Sequence, residues 1–555
     1  MNHRKIPYTN ILMILSLVAV GNNAFALSSY TQPKYFFNNP YITFIIDILP
    51  ILVLFILLSV LRITGWKSTL IASIFTLALA IAIGVPADNA VYAWAIGALF
   101  GFWAISWLIF WGIVFFNTWR LSGYLDAFMS WVLRNITYDI RIFAITLAWA
   151  MGALIEGLIG FGTPWAYIVP MLVALGIPTI RAITIMAVAN TAPVSFGAFG
   201  IPVITLAGVI GVPLMAVSSA VAHVVAILAM FISFIILYLV DGFRGIRDAW
   251  PAALVGSLGY VAGQYTVATY VGPYLPDVVG SLTAFVALVL FLRVWKPARI
   301  VEPPRDIRHM ANNSGRPAAV AWASLLVFVA VMGLWASPIS PLPKMSVAVF
   351  SVPAYSQILG KKVAVSYAFN PFATGTAALV AWLVSMAVMR PSRKVVKEAL
   401  ATTVRQTWAA VAVGAFVVSL AFVFNYSGMA YSLAYMASFA GILFILISPF
   451  LGWLGAALTG SNTSSNALFG ALQYTVGNLL GIPPLLLPAV QSVGAELGKP
   501  VAPQTVSAGI STTEYVRREG DIIRNNLPYS ISLVLLLVAI AVVHLLLYPY
   551  PFKLT

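Results

Sequence analysis

The sequence predicts an all-α polytopic membrane protein with about 12–14 membrane segments, among them two helical-hairpin regions interrupted by glycine and proline. Three observations carry that expectation. Of 555 residues, 61% are hydrophobic and only 8% are charged, whereas soluble proteins carry roughly 25% charged residues. Mean hydropathy is +0.97, and apolar runs approaching the ~20 residues that span a bilayer recur along the chain. Finally, Lys and Arg gather in short stretches between those runs, so the net charge of +15 reads as membrane topology and not as a nucleic-acid surface. No cysteine is present and the four histidines (His3, His223, His309, His544) are far apart, so no metal or cofactor is expected.

From the N-terminus, residues 1–27 read as a signal peptide or a first transmembrane helix: His3-Arg4-Lys5, an apolar run from Ile11 to Val20, then Ala24-Phe25-Ala26. Residues 28–292 form an N-terminal repeat half, with apolar runs over 42–61, 68–86, 91–117, 142–155, 214–240, 250–271 and 278–292 and an interrupted region at 156–209. A basic loop at 293–316 follows. Residues 317–555 form the C-terminal half, with runs over 317–336, 370–389, 406–424, 430–449 and 527–548 and an interrupted region at 450–512. The loops holding Arg62/Lys67, Arg120/Arg134/Arg141, Arg244/Arg247, residues 293–316, Arg390 to Arg405 and Arg517/Arg518/Arg524 fall on one side, the cytoplasm, which leaves the 337–368 loop outside. Asp241/Arg244 and Arg518/Glu519 read as solvated loop pairs.

The interrupted regions carry the chemistry. Irregular backbone inside a bilayer survives only where protein or a wet cavity satisfies its N–H and C=O groups, which makes broken apolar segments pointers to a transport site. The first is Glu156-Gly-Leu-Ile-Gly-Phe-Gly-Thr163-Pro164, then Leu175-Gly-Ile-Pro178 and Asn190-Thr191-Ala-Pro-Val-Ser195-Phe-Gly197. The second is Leu458-Thr-Gly-Ser-Asn-Thr-Ser-Ser-Asn466, then Leu480-Gly-Ile-Pro483 and Lys499-Pro-Val-Ala-Pro-Gln504. Their matching order points to an internal duplication, with inverted halves as the usual arrangement for carriers. Such breaks present unpaired amides and positive helix ends. Gly160, Gly162, Thr163, Asn190, Thr191, Gly460, Ser461, Asn462, Thr463 and Ser464 are therefore the expected binders of a small carboxylate.

Of 15 acidic residues, Asp47, Glu156 and Glu496 lie within apolar segments, while Asp277 and the others fall in or beside loops. A carboxylate in a low dielectric is costly to ionise, so Glu156 and Glu496 are the expected proton-coupling groups. Glu496 also sits three residues before Lys499, the spacing of a helical ion pair. Asp47 reads as interfacial. The cations available to a substrate carboxylate are Lys499, His223 and Arg181.

The run from Glu156 to Pro164, Asn190-Thr-Ala-Pro-Val-Ser-Phe-Gly-Ala-Phe-Gly-Ile-Pro202, Asp241-Gly-Phe-Arg-Gly245, Gly272-Pro-Tyr-Leu-Pro-Asp277, Ser448-Pro-Phe-Leu-Gly-Trp453 and Leu458-Thr-Gly-Ser-Asn-Thr-Ser-Ser-Asn-Ala-Leu-Phe469 closely resemble the lactate permease family from about residue 40 to about 510. The resemblance implies a plasma-membrane carrier that takes up lactate, and often glycolate, with protons. More distantly, Ser461-Asn462-Thr463 is similar to hairpin-tip motifs of elevator-type carboxylate carriers of the ion transporter superfamily, which implies a transport domain sliding against a scaffold. Three positions depart from the family pattern: Asn462 stands where an Asp is usual, Glu496 where an apolar residue is usual, and His223 where many relatives have Arg. The first two changes are expected to offset each other, with Glu496 taking the proton-linked role. The resulting expectation is a symporter whose partners are a small 2-hydroxymonocarboxylate, protons and the bilayer; a sodium-coupled carrier of another organic acid is the alternative, ahead of an anion channel. An enzyme is disfavoured, because no motif pairs a nucleophile with a base. The sequence leaves the assembly open, a dimer included.

Overall fold

The computed structural model describes residues 28–136, 138–160, 162–303, 316–511 and 513–554, so the reading of residues 1–27 and the 304–315 part of the basic loop lie outside the described residues. The molecule is mostly helical. Among the described residues, ten helices are long and apolar enough to cross a membrane. The longest, Leu214–Tyr270, is folded in two where Asp241 and Gly242 leave helical geometry. Ser218 Oγ donates to Ala268 O and Ser233 Oγ to Ala253 O across the resulting pair of arms, which are the runs expected at 214–240 and 250–271.

The helices sort by packing into two groups. The first is a scaffold of Pro40–Phe55, Gly65–Ala82, Ala87–Phe100 with its continuation Trp107–Leu121, Ala318–Ala336, Thr374–Met389 and Arg393–Tyr426. Without a hydrophobic drive between helices in lipid, close approach through small residues holds such bundles. Here Gly97 lies against the backbone of Ser419 and Gly101 against that of Gly414. The second group holds the interrupted regions, the arms of Leu214–Tyr270, Pro276–Val294 and Glu519–Leu547. Where the groups meet, the ring of Phe199 covers Gly112 and the ring of Phe100 covers Gly208.

The 337–368 segment, read from sequence as a loop, contains an antiparallel pair, Ala348–Ser356 with Lys361–Phe369, joined by Thr31–Gln32 in parallel. Phe350, Val352 and Ala354 are buried at alternate positions, the period-2 pattern of a half-covered strand. Gln32 Nε2 donates to Asn425 O and Tyr426 O, fastening the sheet to the end of the Arg393–Tyr426 helix.

At the opposite, basic end the loops are knit by charge. Fully buried Arg141 donates to Asp139 at 2.7 Å and to Asp241 and Asp248 at 3.3 Å, and Arg299 bonds both Asp241 and Asp248. Asp241 thus pairs with Arg141 and Arg299 instead of Arg244, and Arg518 pairs with Asp521 instead of Glu519: folding offers partners that neighbours in sequence do not reveal. Removing one member of a buried pair strands the other charge. Arg141→Ala is expected to lower stability by about 3 kcal/mol, read as a fall in the thermal unfolding midpoint of the detergent-solubilised protein.

Candidate functional site

Each interrupted region folds as a helical hairpin followed by a broken helix. In the first, helix Gly152–Leu158 ends at a tip where Gly160 and Gly162 take positive φ (68° and 72°), and Thr163–Ala174 runs back. A side chain at Gly160 would collide with Ala198, so glycine is needed there for close approach. In the second, Phe444–Thr459 ends at Gly460 (φ 71°), and Ser461 caps Asn462–Leu480 by accepting from Ser464 N–H at 3.1 Å.

The hairpins enter from opposite ends of the bundle. The connection closing the first reaches Glu514, which accepts a hydrogen bond from Thr179 just before the last helix, Glu519–Leu547. The connection closing the second donates Leu485 N–H to Phe552 O just beyond that helix's far end. A 29-residue helix is about 43 Å long, so the two hairpin bases are separated by about a bilayer's thickness.

Each broken helix supplies a second bend at depth. Thr179–Ala189 stops at Asn190, and the chain resumes through Ala198, Phe199 and Gly200, all at positive φ, before 201–210 turns helical. Leu486–Gly498 passes through a short 3-10 turn, Lys499–Val501, into Pro503–Ile510. Asn526 Nδ2 donates to Pro500 O and Ser530 Oγ to Leu497 O, satisfying carbonyls that the break releases.

These breaks surround a cavity of about 460 Å³ lined by Glu156, Gly160, Gly197, Ala198, Thr459 to Thr463, Lys499, Gln504 and Thr505, with Trp66, Trp408 and Val413 on the scaffold side. Three helix N-termini face it, at Ile201–Pro202, at Ser461–Thr463 and at Gln504–Thr505, a setting that favours an anion. Lys499 Nζ donates to Glu156 Oε1 at 2.9 Å with both side chains buried. The pairing expected within one helix turn is therefore replaced by one between the two regions, because Glu496 points elsewhere: its Oε1 accepts the backbone N–H of Ser195 at 2.8 Å.

Ser195 is the hinge of that second contact. Its Oγ accepts from Asn462 Nδ2 at 3.3 Å and lies 3.4 Å from Ser492 Oγ, while Asn466 Nδ2 donates to Ser492 Oγ and Pro202 O, both at 2.9 Å. Asn462 and Glu496 thus meet at one serine.

Of the expected binding residues, the cavity gathers Gly160, Gly460, Ser461, Asn462, Thr463 and Lys499, with Glu156. Thr163 lines a smaller space of about 240 Å³ on the far face of the first tip, with Asn117, Tyr167 and Gln406. Gly162 packs near Thr505. Asn190 accepts from Trp165 Nε1 at 3.0 Å, and Thr191 Oγ1 donates to Val188 O. His223 is not brought to the cavity: its ring bonds Ser219 O at 2.7 Å and the Tyr265 hydroxyl at 2.8 Å. Arg181 is solvent-exposed. Two carboxylates correct their sequence reading. Asp47 is fully buried and accepts from Ser432 Oγ at 2.7 Å, and Asp277 is fully buried in the first turn of Pro276–Val294. Pro276 followed by an acid and an apolar run is a helix start; that signal was available, but not the inward lean of the turn. Gln504, which packs on Gly460, and Ser492 are not among the expected binders, because an isolated polar residue in an apolar run has many structural uses.

A polar, ion-paired cavity between opposed hairpins inside an apolar bundle is the architecture of a polytopic membrane carrier. The chain matches the L-lactate permease family over residues 43–549. It is 31% identical over 521 residues to glycolate permease GlcA of Escherichia coli K12, covering 88% of this chain and 93% of that one. It is 32% identical over 527 residues to the L-lactate permease of the same strain (89% and 94%) and 32% over 530 residues to that of Bacillus subtilis 168 (88% and 93%). Among solved structures, the YdaH transporter of Alcanivorax borkumensis aligns with a TM-score of 0.49 and 17% identity over 88% of this chain and 100% of that one. The chain belongs to the L-lactate permease family, and is accordingly a multi-pass integral membrane transporter of the plasma membrane and not an enzyme.

The Glu156–Lys499 pair makes a direct prediction. Lys499→Met and Glu156→Gln singly each leave a buried polar partner unmatched, whereas the double variant removes both charges. In a double-variant cycle by thermal unfolding, a coupling of about 2 kcal/mol is expected.

Proposed function

We propose that this chain is a secondary active transporter that moves a small 2-hydroxymonocarboxylate, lactate or glycolate, across the plasma membrane together with protons. The names of its relatives support the substrate class. The single observation that carries the mechanism is the Lys499–Glu156 ion pair on the wall of the cavity. In this reading Glu156 and the substrate carboxylate compete for one ammonium. A proton on Glu156 frees Lys499, the anion takes its place, and Ser461, Asn462 and Thr463 with the amides of both tips complete the cradle. Proton and anion then cross the low-dielectric interior with little net charge. Neither enters alone: without the proton Lys499 is occupied, and without the anion the ammonium is left unpaired.

Glu496 is the second proposed proton site. It shares Ser195 with Asn462, which supports the idea that a carboxylate absent at 462 is replaced from the neighbouring helix. Gly162, Thr163, Asn190, Thr191, Ser464 and His223 hold the frame in this reading. The opposed entry of the hairpins supports an inverted repeat of the two halves, and the ring-on-glycine contacts between the helix groups support an elevator-like displacement of the hairpin group against the scaffold. Sodium coupling is the second reading, favoured by Asn462 Oδ1 and Asn466 Oδ1, buried oxygens without hydrogen-bond partners.

Uptake of labelled lactate, glycolate and a dicarboxylate into proteoliposomes, with proton and sodium gradients imposed independently, tests the proposal. An inward proton gradient is expected to drive lactate or glycolate uptake without sodium, and to leave the dicarboxylate outside. Uptake that ignores the proton gradient but requires sodium replaces the first reading with the second. Glu496→Gln is expected to abolish accumulation while leaving substrate exchange intact; undiminished accumulation removes Glu496 from the coupling machinery.

A further inference from the structure

Behind the first hairpin lies a buried polar group that the transport cycle above does not use. Asp277 is fully buried. Its Oδ1 accepts the hydroxyl hydrogen bond of Tyr260 at 2.8 Å, and its Oδ2 has no partner. Among the described residues no cation pairs with it, unlike Glu156, so nothing nearby neutralises an ionised carboxylate except a proton. Tyr260 is itself fully buried, with its ring 4.5 Å from that of Trp149. Around this pair, Gln264 Nε2 and Oε1 and Trp149 Nε1 are likewise buried without partners. Buried polar groups left open in a cluster mark a place for ordered water.

The location gives the cluster a purpose. Asp277 follows the 271–275 turn, where the second arm of Leu214–Tyr270 ends, at the end of the bundle remote from the Asp241–Asp248 basic cluster. That turn leans inward, with Gly200 packed against Pro273 O. A Cβ at Gly157, the residue after Glu156, would lie 2.9 Å from the Asp277 Cβ. The ionisable groups around Asp277 are Tyr260 on the 243–270 arm, Glu156 on the first hairpin and Glu496 on Leu486–Gly498; Glu156 and Glu496 are near enough to act on it electrostatically.

We propose that Asp277, with Tyr260, is a proton-carrying station between the weakly charged end of the bundle and Glu156. Resting on the proton-coupled reading above, it adds a route by which the proton reaches the ion pair without passing through the substrate cavity. The Tyr260 hydroxyl holds one carboxyl oxygen in place and leaves the other to exchange a proton with water and pass it towards Glu156. Asp277 acts on transport through Glu156 and is a positioning and relay residue, not a substrate contact.

The test uses the full-length protein in liposomes, with two readouts on each variant: net lactate uptake driven by an inward proton gradient across a range of external pH, and lactate–lactate exchange at equal pH on both sides. Asp277→Asn is expected to slow net uptake by at least about tenfold and to flatten its pH dependence, while exchange stays within about twofold of the parent. Tyr260→Phe keeps the ring and is expected to slow net uptake less and to displace the pH profile. If Asp277→Asn is not recovered folded, Tyr260→Phe decides by the same two readouts. A pH profile and net rate equal to the parent's overturn the station, and so does a loss of exchange in proportion to net uptake, which marks a purely structural carboxylate. A parent protein indifferent to the proton gradient overturns the coupling itself, an outcome separable from a coupled parent with a fully coupled Asp277→Asn.

Discussion

Hydrocarbon offers no hydrogen bonds, and the whole interior of this protein is arranged around that fact. The chain interrupts its helices at four places in the second helix group, and each interruption frees amides and carbonyls that lipid cannot take. At the two broken helices the remedy comes from another segment: Asn526 and Ser530 serve the carbonyls released near Lys499, Asn466 reaches Pro202 O, and Glu496 takes the amide of Ser195. The hairpins and broken helices are therefore not independent units that happen to touch. The broken helices take their missing partners from neighbouring segments, and the cavity is the small volume left where hairpins and broken helices meet.

Three buried carboxylates occupy this core, and their partners set them apart. Glu156 faces an ammonium, Glu496 a backbone amide, and Asp277 a phenol. An ammonium can be claimed by a competing anion; a backbone amide cannot move away; a phenol can both give and receive a hydrogen bond. Chemically similar side chains thus acquire different capacities from what lies opposite them, and for Glu156 and Glu496 those capacities follow from packing between segments 343 and 301 residues apart.

That separation explains what could be read from the sequence. Apolar run length revealed the spans, and Gly160, Gly162 and Gly460 inside apolar stretches revealed the tips, because both signals are local. The two interrupted regions were legible for the same reason. The Glu156–Lys499 pair was not: the partners lie 343 residues apart, while Glu496, three residues from Lys499, offered a nearer and incorrect match. Asp277 was hidden by its own punctuation, since Gly272-Pro-Tyr-Leu-Pro276 looks like an exposed turn until the fold tilts it inward. The strands at 348–369 show the converse, a period-2 pattern present in the residues but overshadowed by the helical signal on either side.

The small sheet has a consequence for where motion is possible. Its strand at Thr31–Gln32 is stitched to the carbonyls of Asn425 and Tyr426, Tyr426 is hydrogen-bonded by Asn89, and the ring of Tyr367 abuts Phe100. It thereby works as a splint laid across the tips of the Ala87–Phe100 and Arg393–Tyr426 helices. Rods bound together at their ends resist shear, so any rigid-body rearrangement in this molecule falls to the helices that the splint does not bind.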